Sequence, residues 1–338
     1  MTSQRHLKVG LVGAGGVGAR HAATLAELDD VRLVAVTDVD PERAVALAGE
    51  HDATAVPDLD ALLGTPGLDA VWLCLPPFVH GDPELAVIAA GLAFFVEKPL
   101  AVDLATAERV AEAVAVAVAA RGLVTATGYH WRCAAGVERA AQELAGTSVA
   151  LAHGAWWDKV PPVPWWLRRV MSGGQLVEQA THLVDTMRVL VGEPVSVHTE
   201  ATRVPGRDPA LVDVATAAVI RFDTGAVATL SATSVLARKQ TAALTLLAEG
   251  IVVEIGETGT VLTRGEHVER VPEDGLAKRR VDAEFCDAVR RGDPTAVRAP
   301  YAEAVATHRV GCALALSART GVPVELGPVG VSAASPDV

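Results

Sequence analysis

Lysine is scarce in this 338-residue chain: five lysines and 24 arginines face 41 acidic side chains, leaving a formal net charge of −12 and no long basic block. A protein that grips a phosphate backbone needs a basic patch or stripe, so no nucleic-acid partner is expected. Long apolar runs are missing too; no stretch approaches the ~20 residues of a membrane span. Met1 to Lys8 lack the positive n-region and apolar h-region of a secretory signal, so the expectation is a cytoplasmic protein with no membrane partner. The four cysteines, Cys74, Cys133, Cys286 and Cys312, lie far apart with no Cys-x-x-Cys pair. That suggests neither a cysteine zinc site nor a disulfide framework, and the expectation is reduced thiols in apolar surroundings.

What the chain does have is hydrophobic bulk, 50% of its residues, and enough length for two domains at about 150 residues each. Over Leu7–Gly128 short β-branched runs alternate with helical stretches, the pattern of parallel βαβ units buried on both faces. Strands are expected at Lys8–Val12, Leu33–Thr37, Ala70–Leu75, Ala93–Glu97 and Val124–Thr127, with helices near Val17–Leu28, Pro41–Glu50, Pro83–Ala90 and Leu104–Arg121. Asp40 before Pro41 and Asp82 before Pro83 read as N-caps with proline at the first helical position, and Gly91 and Gly122 as helix stops.

After Gly128 the rhythm becomes a series of Val/Ala/Thr-rich strands from Val195 to Val271 with glycine-containing turns, which favours an antiparallel sheet. Helices near Leu176–Val191, Ala277–Arg290 and Ala302–Arg319 are expected to cover one face of it. The fold class is therefore an α/β Rossmann domain at residues 1–128, an α+β domain with a large, open, mainly antiparallel sheet at 129–326, and a loosely held tail at 327–338.

The strongest local motif is Gly13-Ala14-Gly15-Gly16-Val17-Gly18, which follows an apolar strand and opens an Ala-rich helix. A tight turn at the first glycine, close backbone approach at the second and helix–strand packing at the third let a pyrophosphate sit on the helix N-terminus. The next strand ends at Asp38, where a carboxylate can accept hydrogen bonds from an adenosine ribose. With Asp40 nearby and no arginine at position 39, a 2′-phosphate would be repelled, so the expected cofactor is NAD. Leu75 and Pro76-Pro77, with His80 beyond them, follow the Ala70–Leu75 strand at the carboxyl edge, where such folds bind ligands.

The Ala93–Val96 strand runs into Glu97-Lys98-Pro99, bringing two opposite charges to that edge. Lys98, near a cationic nicotinamide and partly desolvated, could exchange a proton with an alcohol or ketone oxygen, with Glu97 holding it in place; an ordinary strand-end ion pair is the alternative. Beyond Ser172-Gly173-Gly174, helical spacing puts Glu178, His182 and Asp185 on one stripe. The i,i+4 pair Glu178/His182 can touch, letting the carboxylate orient the imidazole or bind a substrate hydroxyl; a solvated polar face is the alternative. A metal would need a third ligand of recognisable spacing, so none is expected. Five of the six tryptophans, Trp131, Trp156, Trp157, Trp165 and Trp166, fall within 36 residues, and flat aromatic faces suit polyhydroxylated rings.

In this order and spacing, the glycine turn, Pro76-Pro77 with His80, Glu97-Lys98-Pro99, Gly128-Tyr129-His130-Trp131-Arg132 and Gly173-Gly174 leading to Glu178–Asp185 resemble the glucose-fructose oxidoreductase, inositol dehydrogenase and rhizopine-catabolism (Gfo/Idh/MocA) family. The resemblance implies an NAD-dependent sugar, aminosugar or cyclitol dehydrogenase in which Lys98 and His182 flank the nicotinamide. It places Glu178 where the family usually has aspartate. Substrate contacts are expected from Trp131, Arg132, Trp165 and Asp185, and the resemblance implies a homodimer or homotetramer. The family's usual Asn-Arg-Arg reads His130-Trp131-Arg132 here, so only Arg132 matches. The negative charge would tolerate a cationic aminosugar better than a sugar phosphate. Two other functions fit the same motifs: a lyase or glycosidase that oxidises its sugar transiently, and a non-catalytic dinucleotide-binding sensor.

Overall fold

A computed structural model describes residues 6–202 and 204–327; Arg203 and most of the tail expected at 327–338 lie outside the described residues. In chain order the first elements are β1 (Leu7–Val12), α1 (Gly16–Ala26), β2 (Val31–Thr37), α2 (Pro41–Glu50), β3 (Thr54–Ala55) and α3 (Leu59–Leu63). They continue with β4 (Ala70–Leu73), α4 (Asp82–Ala89), β5 (Ala93–Val96), α5 (Leu104–Arg121) and β6 (Thr125–Thr127). Next come α6 (Ala135–Leu144), β7 (Val149–Trp157), α7 (Arg169–Ser172), α8 (Gln175–Glu178) and α9 (Thr181–Leu190). The run of strands follows: β8 (Pro194–Ala201), β9 (Ala215–Phe222), β10 (Val227–Thr233), β11 (Thr241–Ala248), β12 (Ile251–Gly256), β13 (Gly259–Arg264) and β14 (His267–Pro272). Helices α10 (Ala277–Arg291) and α11 (Tyr301–Thr320) and the short β15 (Val324–Glu325) complete the order.

Contacts divide the chain into two units. The first runs to Cys133 and takes in Gly275–Val305; the second comprises Ala134–Asp274 and the chain from Ala306. The division expected at residue 128 therefore shifts, and the contiguous second domain expected at 129–326 gives up two pieces. The larger piece, Gly275–Val305, carries α10. Expected on the second sheet, it instead buries Val281, Phe285, Cys286 and Ala288 in the same core cluster as β1 and α1.

The first unit holds a six-stranded parallel sheet in the order β3-β2-β1-β4-β5-β6. Its central strands are apolar on both sides because helices cover both faces, so Val9, Leu11, Trp72, Phe94 and Phe95 are fully buried. Two helix signals act as expected, since Asp40 accepts the Glu42 N–H ahead of Pro41 and Gly122 ends α5 at φ +65°; Asp82, expected as an N-cap, is instead the first residue of α4, whose N-cap is Gly81. The order reverses beside β1, so the carboxyl ends of β1, β2, β4 and β5 form the ligand edge of such a sheet.

The second unit is built on a nine-stranded sheet, β14-β13-β12-β11-β7-β10-β9-β8-β15, antiparallel except where β7 and β10 run parallel. Residues alternate: Ala152, Gly154 and Trp156 face one side, while Leu151, His153 and Trp157 face the other. Helix α9 lies on the first side, and Gly154 is there to admit it, since a Cβ would meet Met187 at 2.8 Å and Leu230 at 2.9 Å. Helix α6 packs likewise on β13, where Gly136 leaves room for Thr260. Among the described residues no helix is long and apolar enough to cross a membrane.

Candidate functional site

The glycine turn between β1 and α1 has the geometry its sequence implies. Gly13 sits at φ +95°, and a Cβ on it would come within 2.3 Å of the Cys74 carbonyl, so only glycine fits. A Cβ on Gly18 would press to 2.0 Å from the Gly13 carbonyl, which makes it the packing glycine. Around Gly15 and Gly16, by contrast, a Cβ would meet nothing within 4 Å. Helix α1 starts at Gly16 with Gly15 as its N-cap and no side-chain cap, so Val17 and its neighbours offer backbone N–H groups to that open space.

Asp38, at the end of β2, is tied to this turn. Its Oδ2 accepts the Ala14 N–H at 2.6 Å and its Oδ1 accepts the Asp40 N–H at 2.8 Å. Each oxygen keeps a lone pair for a vicinal diol. Arg43, the basic side chain nearest by sequence, is paired with Asp40 at 3.1 Å. An open glycine cradle beside a fixed carboxylate fits NAD, which Gly13, Gly15, Gly16, Gly18 and Asp38 would hold.

Leu75 and Pro76 lie just after β4 on the same edge. His80 does not face outward from this loop, as its place in the sequence invited. It is buried; Nδ1 meets Glu84 Oε1 and Nε2 lies 3.2 Å from the Leu75 carbonyl, while Glu84 Oε2 accepts the Gly81 N–H at 2.6 Å. The ring braces the loop from inside.

Glu97 and Lys98 follow β5 directly, and the Lys98–Pro99 bond is cis. Burial alone would push the Glu97 carboxyl up, but hydrogen bonding and charge from His21, with Arg20 and Lys98, hold it down at about 2. Gly128, at the end of β6, leaves space for this carboxylate: a Cβ there would lie 2.6 Å from Glu97 Oε2. His130 is held at about 4 by burial, and so is neutral near pH 7. Trp131 and Arg132 are buried in the first unit; Arg132 Nη1 donates to the Arg298 carbonyl at 2.7 Å and Nη2 lies 3.7 Å from Glu303.

In the second unit, Gly173 and Gly174 take φ of +74° and +91°, which only glycine does cheaply, and launch α8. The single helix expected at Leu176–Val191 is broken: α8 ends at Glu178 and α9 begins at Thr181, so Glu178 and His182 do not share one helix. The Glu178 carboxylate accepts the Trp166 indole N–H at 2.8 Å. His182, 5% exposed, stacks on Trp156 with ring centroids 6.1 Å apart. Lys239 Nζ lies 4.1 Å over the same indole and 2.6 Å from Glu257.

The stripe that also carried Asp185 is no solvated face. Asp185 is fully buried and accepts the Thr307 hydroxyl at 2.7 Å, and Thr307 in turn accepts Arg188 Nη1 at 2.9 Å; this cluster ties α9 to α11. Trp165 is half-buried, and Trp157 donates to Ser231 on the opposite side of the sheet from Trp156. Trp156 thus meets His182 and Trp166 meets Glu178. Alternation along β7 would have picked out Trp156, had that strand been recognised.

A parallel sheet with a glycine cradle and a fixed acid defines a dinucleotide-binding unit, and the second unit is an open sheet bearing a buried histidine. Two family profiles agree: residues 7–120 match the oxidoreductase family with an NAD-binding Rossmann fold, and residues 145–261 match the GFO/IDH/MocA C-terminal domain. The chain belongs to the GFO/IDH/MocA family. It is 41% identical over 115 residues to an inositol 2-dehydrogenase of Acidothermus cellulolyticus, covering 33% of this chain and 34% of that one. It is 32% identical over 196 residues to inositol 2-dehydrogenase 3 of Saccharopolyspora erythraea, covering 56% and 55%. The matches thus span a third to about half the length of these relatives. Among solved structures, GenD2 from gentamicin A biosynthesis, in complex with NAD, superposes with a TM-score of 0.82 at 22% identity, over 96% of this chain and 97% of that one. Levoglucosan dehydrogenase with NADH and levoglucosan gives 0.84 at 19%, over 95% and 99%.

Proposed function

We propose that the protein is an NAD-dependent dehydrogenase that interconverts a secondary alcohol and a ketone on a sugar, aminosugar or cyclitol. The observation that carries this is the carboxyl edge of the first sheet, which gathers the open glycine cradle, Asp38 and the Glu97-Lys98 turn from the ends of β1, β2 and β5. NAD, when bound, supplies a hydride acceptor at its nicotinamide ring. His182 takes the hydroxyl proton as general base, and Lys98 polarises that oxygen or passes the proton on; Glu178, held by Trp166, binds a neighbouring hydroxyl. Asp185 holds α9 to α11 through Thr307. The names of the relatives support this class, since they act on a cyclitol and on an anhydrosugar. The exposed face of the second sheet supports self-association into a dimer or tetramer.

A second reading, transient oxidation followed by elimination or hydration, is favoured by one relative, a 2,7-anhydro-N-acetylneuraminate hydratase from Mediterraneibacter gnavus, 28% identical over 189 residues. A panel of cyclitols, sugars and aminosugars with NAD and with NADP tests both. Growth of reduced-nicotinamide absorbance with NAD is expected. Product without net NADH would replace the dehydrogenase by the transient-oxidation enzyme, and no turnover of any member would refute both.

A further inference from the structure

Within the first unit, at the inner side of the Glu97-Lys98 turn, lies a row of charges that a hydrophobic core does not require. His21, on α1, is 2% exposed; its Nδ1 lies 2.8 and 3.0 Å from the two carboxylate oxygens of Asp282 on α10, and its Nε2 lies 2.9 Å from Glu97 Oε1. Asp282, 1% exposed, also accepts the Trp72 indole N–H at 3.0 Å. The other oxygen of Glu97 accepts the Lys98 backbone N–H at 3.1 Å, and Arg20 reaches Oε1 at 3.2 Å. Phe95 and Trp72 wall the row, the Phe95 ring centred 5.0 Å from the imidazole.

A neutral imidazole has one N–H, yet here both ring nitrogens face carboxylate oxygens, so only the imidazolium satisfies both sides. Buried ion rows of this kind are a poor source of stability, because apolar residues of the same volume usually do as well or better. What such a row does supply is a fixed direction for each charge it contains.

We propose that His21, bridging Asp282 and Glu97 through both ring nitrogens, is a positioning residue that fixes the Glu97 carboxylate and through it the Lys98 backbone. The proposal rests on the reading of Lys98 as a reacting group. The groups that act on the imidazole are Asp282 and Glu97 directly, and around Glu97 stand Arg20, Lys98, the Cys74 thiol and His130. Burial pushes the imidazole down, but the two carboxylates outweigh it and raise it to about 9, so the bridge is complete at neutral pH and is lost as pH rises through that value.

The test compares the full-length parent, His21→Gln, the near-isosteric Asp282→Asn and a Lys98→Met control. Two readouts are used: kcat and KM against pH on the substrate found in the panel, and amide hydrogen exchange resolved at Lys98. His21→Gln is expected to lower kcat roughly 10- to 100-fold, the range for partners that orient a functional group, while KM for NAD stays within about twofold. Lys98 amide exchange should quicken in both variants while the amides of β1 and β4 keep their protection. In Asp282→Asn the alkaline loss of activity should move to lower pH, because the charge that holds the imidazole proton is gone. An unchanged Lys98 amide in both variants would overturn the proposal, as would parental kcat and pH profile with a lowered Tm. If Lys98→Met matches the parent in turnover, the reading of Lys98 fails instead, and the amide readout still decides whether His21 positions the turn.

Discussion

Asp38 uses both carboxylate oxygens on backbone N–H groups, at Ala14 and Asp40, and so stands as a fixed negative point beside the glycine turn. A 2′-phosphate brought there would face an anion that cannot swing away, with Arg43 already paired to Asp40. Asp38→Ala should raise KM for NAD and shift the NADP-to-NAD ratio of kcat/KM by on the order of 10- to 100-fold, as expected for loss of about 1.4 to 2.7 kcal/mol of discrimination. Steady-state kinetics with both cofactors check this, and an unchanged ratio would mean that Asp38 does not read the ribose. Single residues of this kind were legible because glycine and acid spacing follow from backbone sterics. The tryptophans were not: their clustering is visible in sequence, but which indole meets His182 depends on the pleat of a strand. His21 and Asp282 lie 261 positions apart in the chain, and no local pattern links them.

At the scale of elements, the parallel βαβ units were legible because proline, glycine and caps punctuate them, and their observed strands overlap the expected ones except for the two-residue β3, which was not expected. The strand β7 was missed. Its interior Gly154 reads as a breaker, although it serves a helix packed against it, and Ala and Trp in Val149–Trp157 hide the alternation. The break between α8 and α9 carries no glycine or proline to announce it, which is why one helix was expected. Helix α10 was placed on the wrong sheet because amphipathicity shows that a face is buried, not what buries it.

Register makes Leu151, Val227 and Leu247 neighbours across β7, β10 and β11 on the outer face, and they are 42%, 38% and 37% exposed in the single chain. We propose this apolar stripe as the surface through which the chain associates with a second copy. The protein is expected to sediment as a dimer or larger, and Leu151→Lys to shift it toward monomer with the fold retained. A monomeric parent would contradict the assignment of this face.

At the scale of the molecule, the two units carry different parts of one proposed reaction: the first holds NAD and Lys98, the second His182 and the groups around it. Fold class and family were legible from the order of the motifs, since five short signals in the right sequence and spacing are far more specific than any one of them. The exchange of Gly275–Val305 into the first unit was not legible, because it depends on which core the returning chain joins. The central claim is that Lys98 and His182 act on the same hydroxyl. It is tested most directly by a double-mutant cycle on kcat/KM for NAD-dependent oxidation, using Lys98→Met, His182→Ala and the pair together. Each single variant is expected to lose about 10³-fold or more, and the double to lose little beyond the worse single, because groups that serve one proton transfer fail as a unit. Fully multiplicative losses, or either single variant turning over at the parental rate, would contradict it.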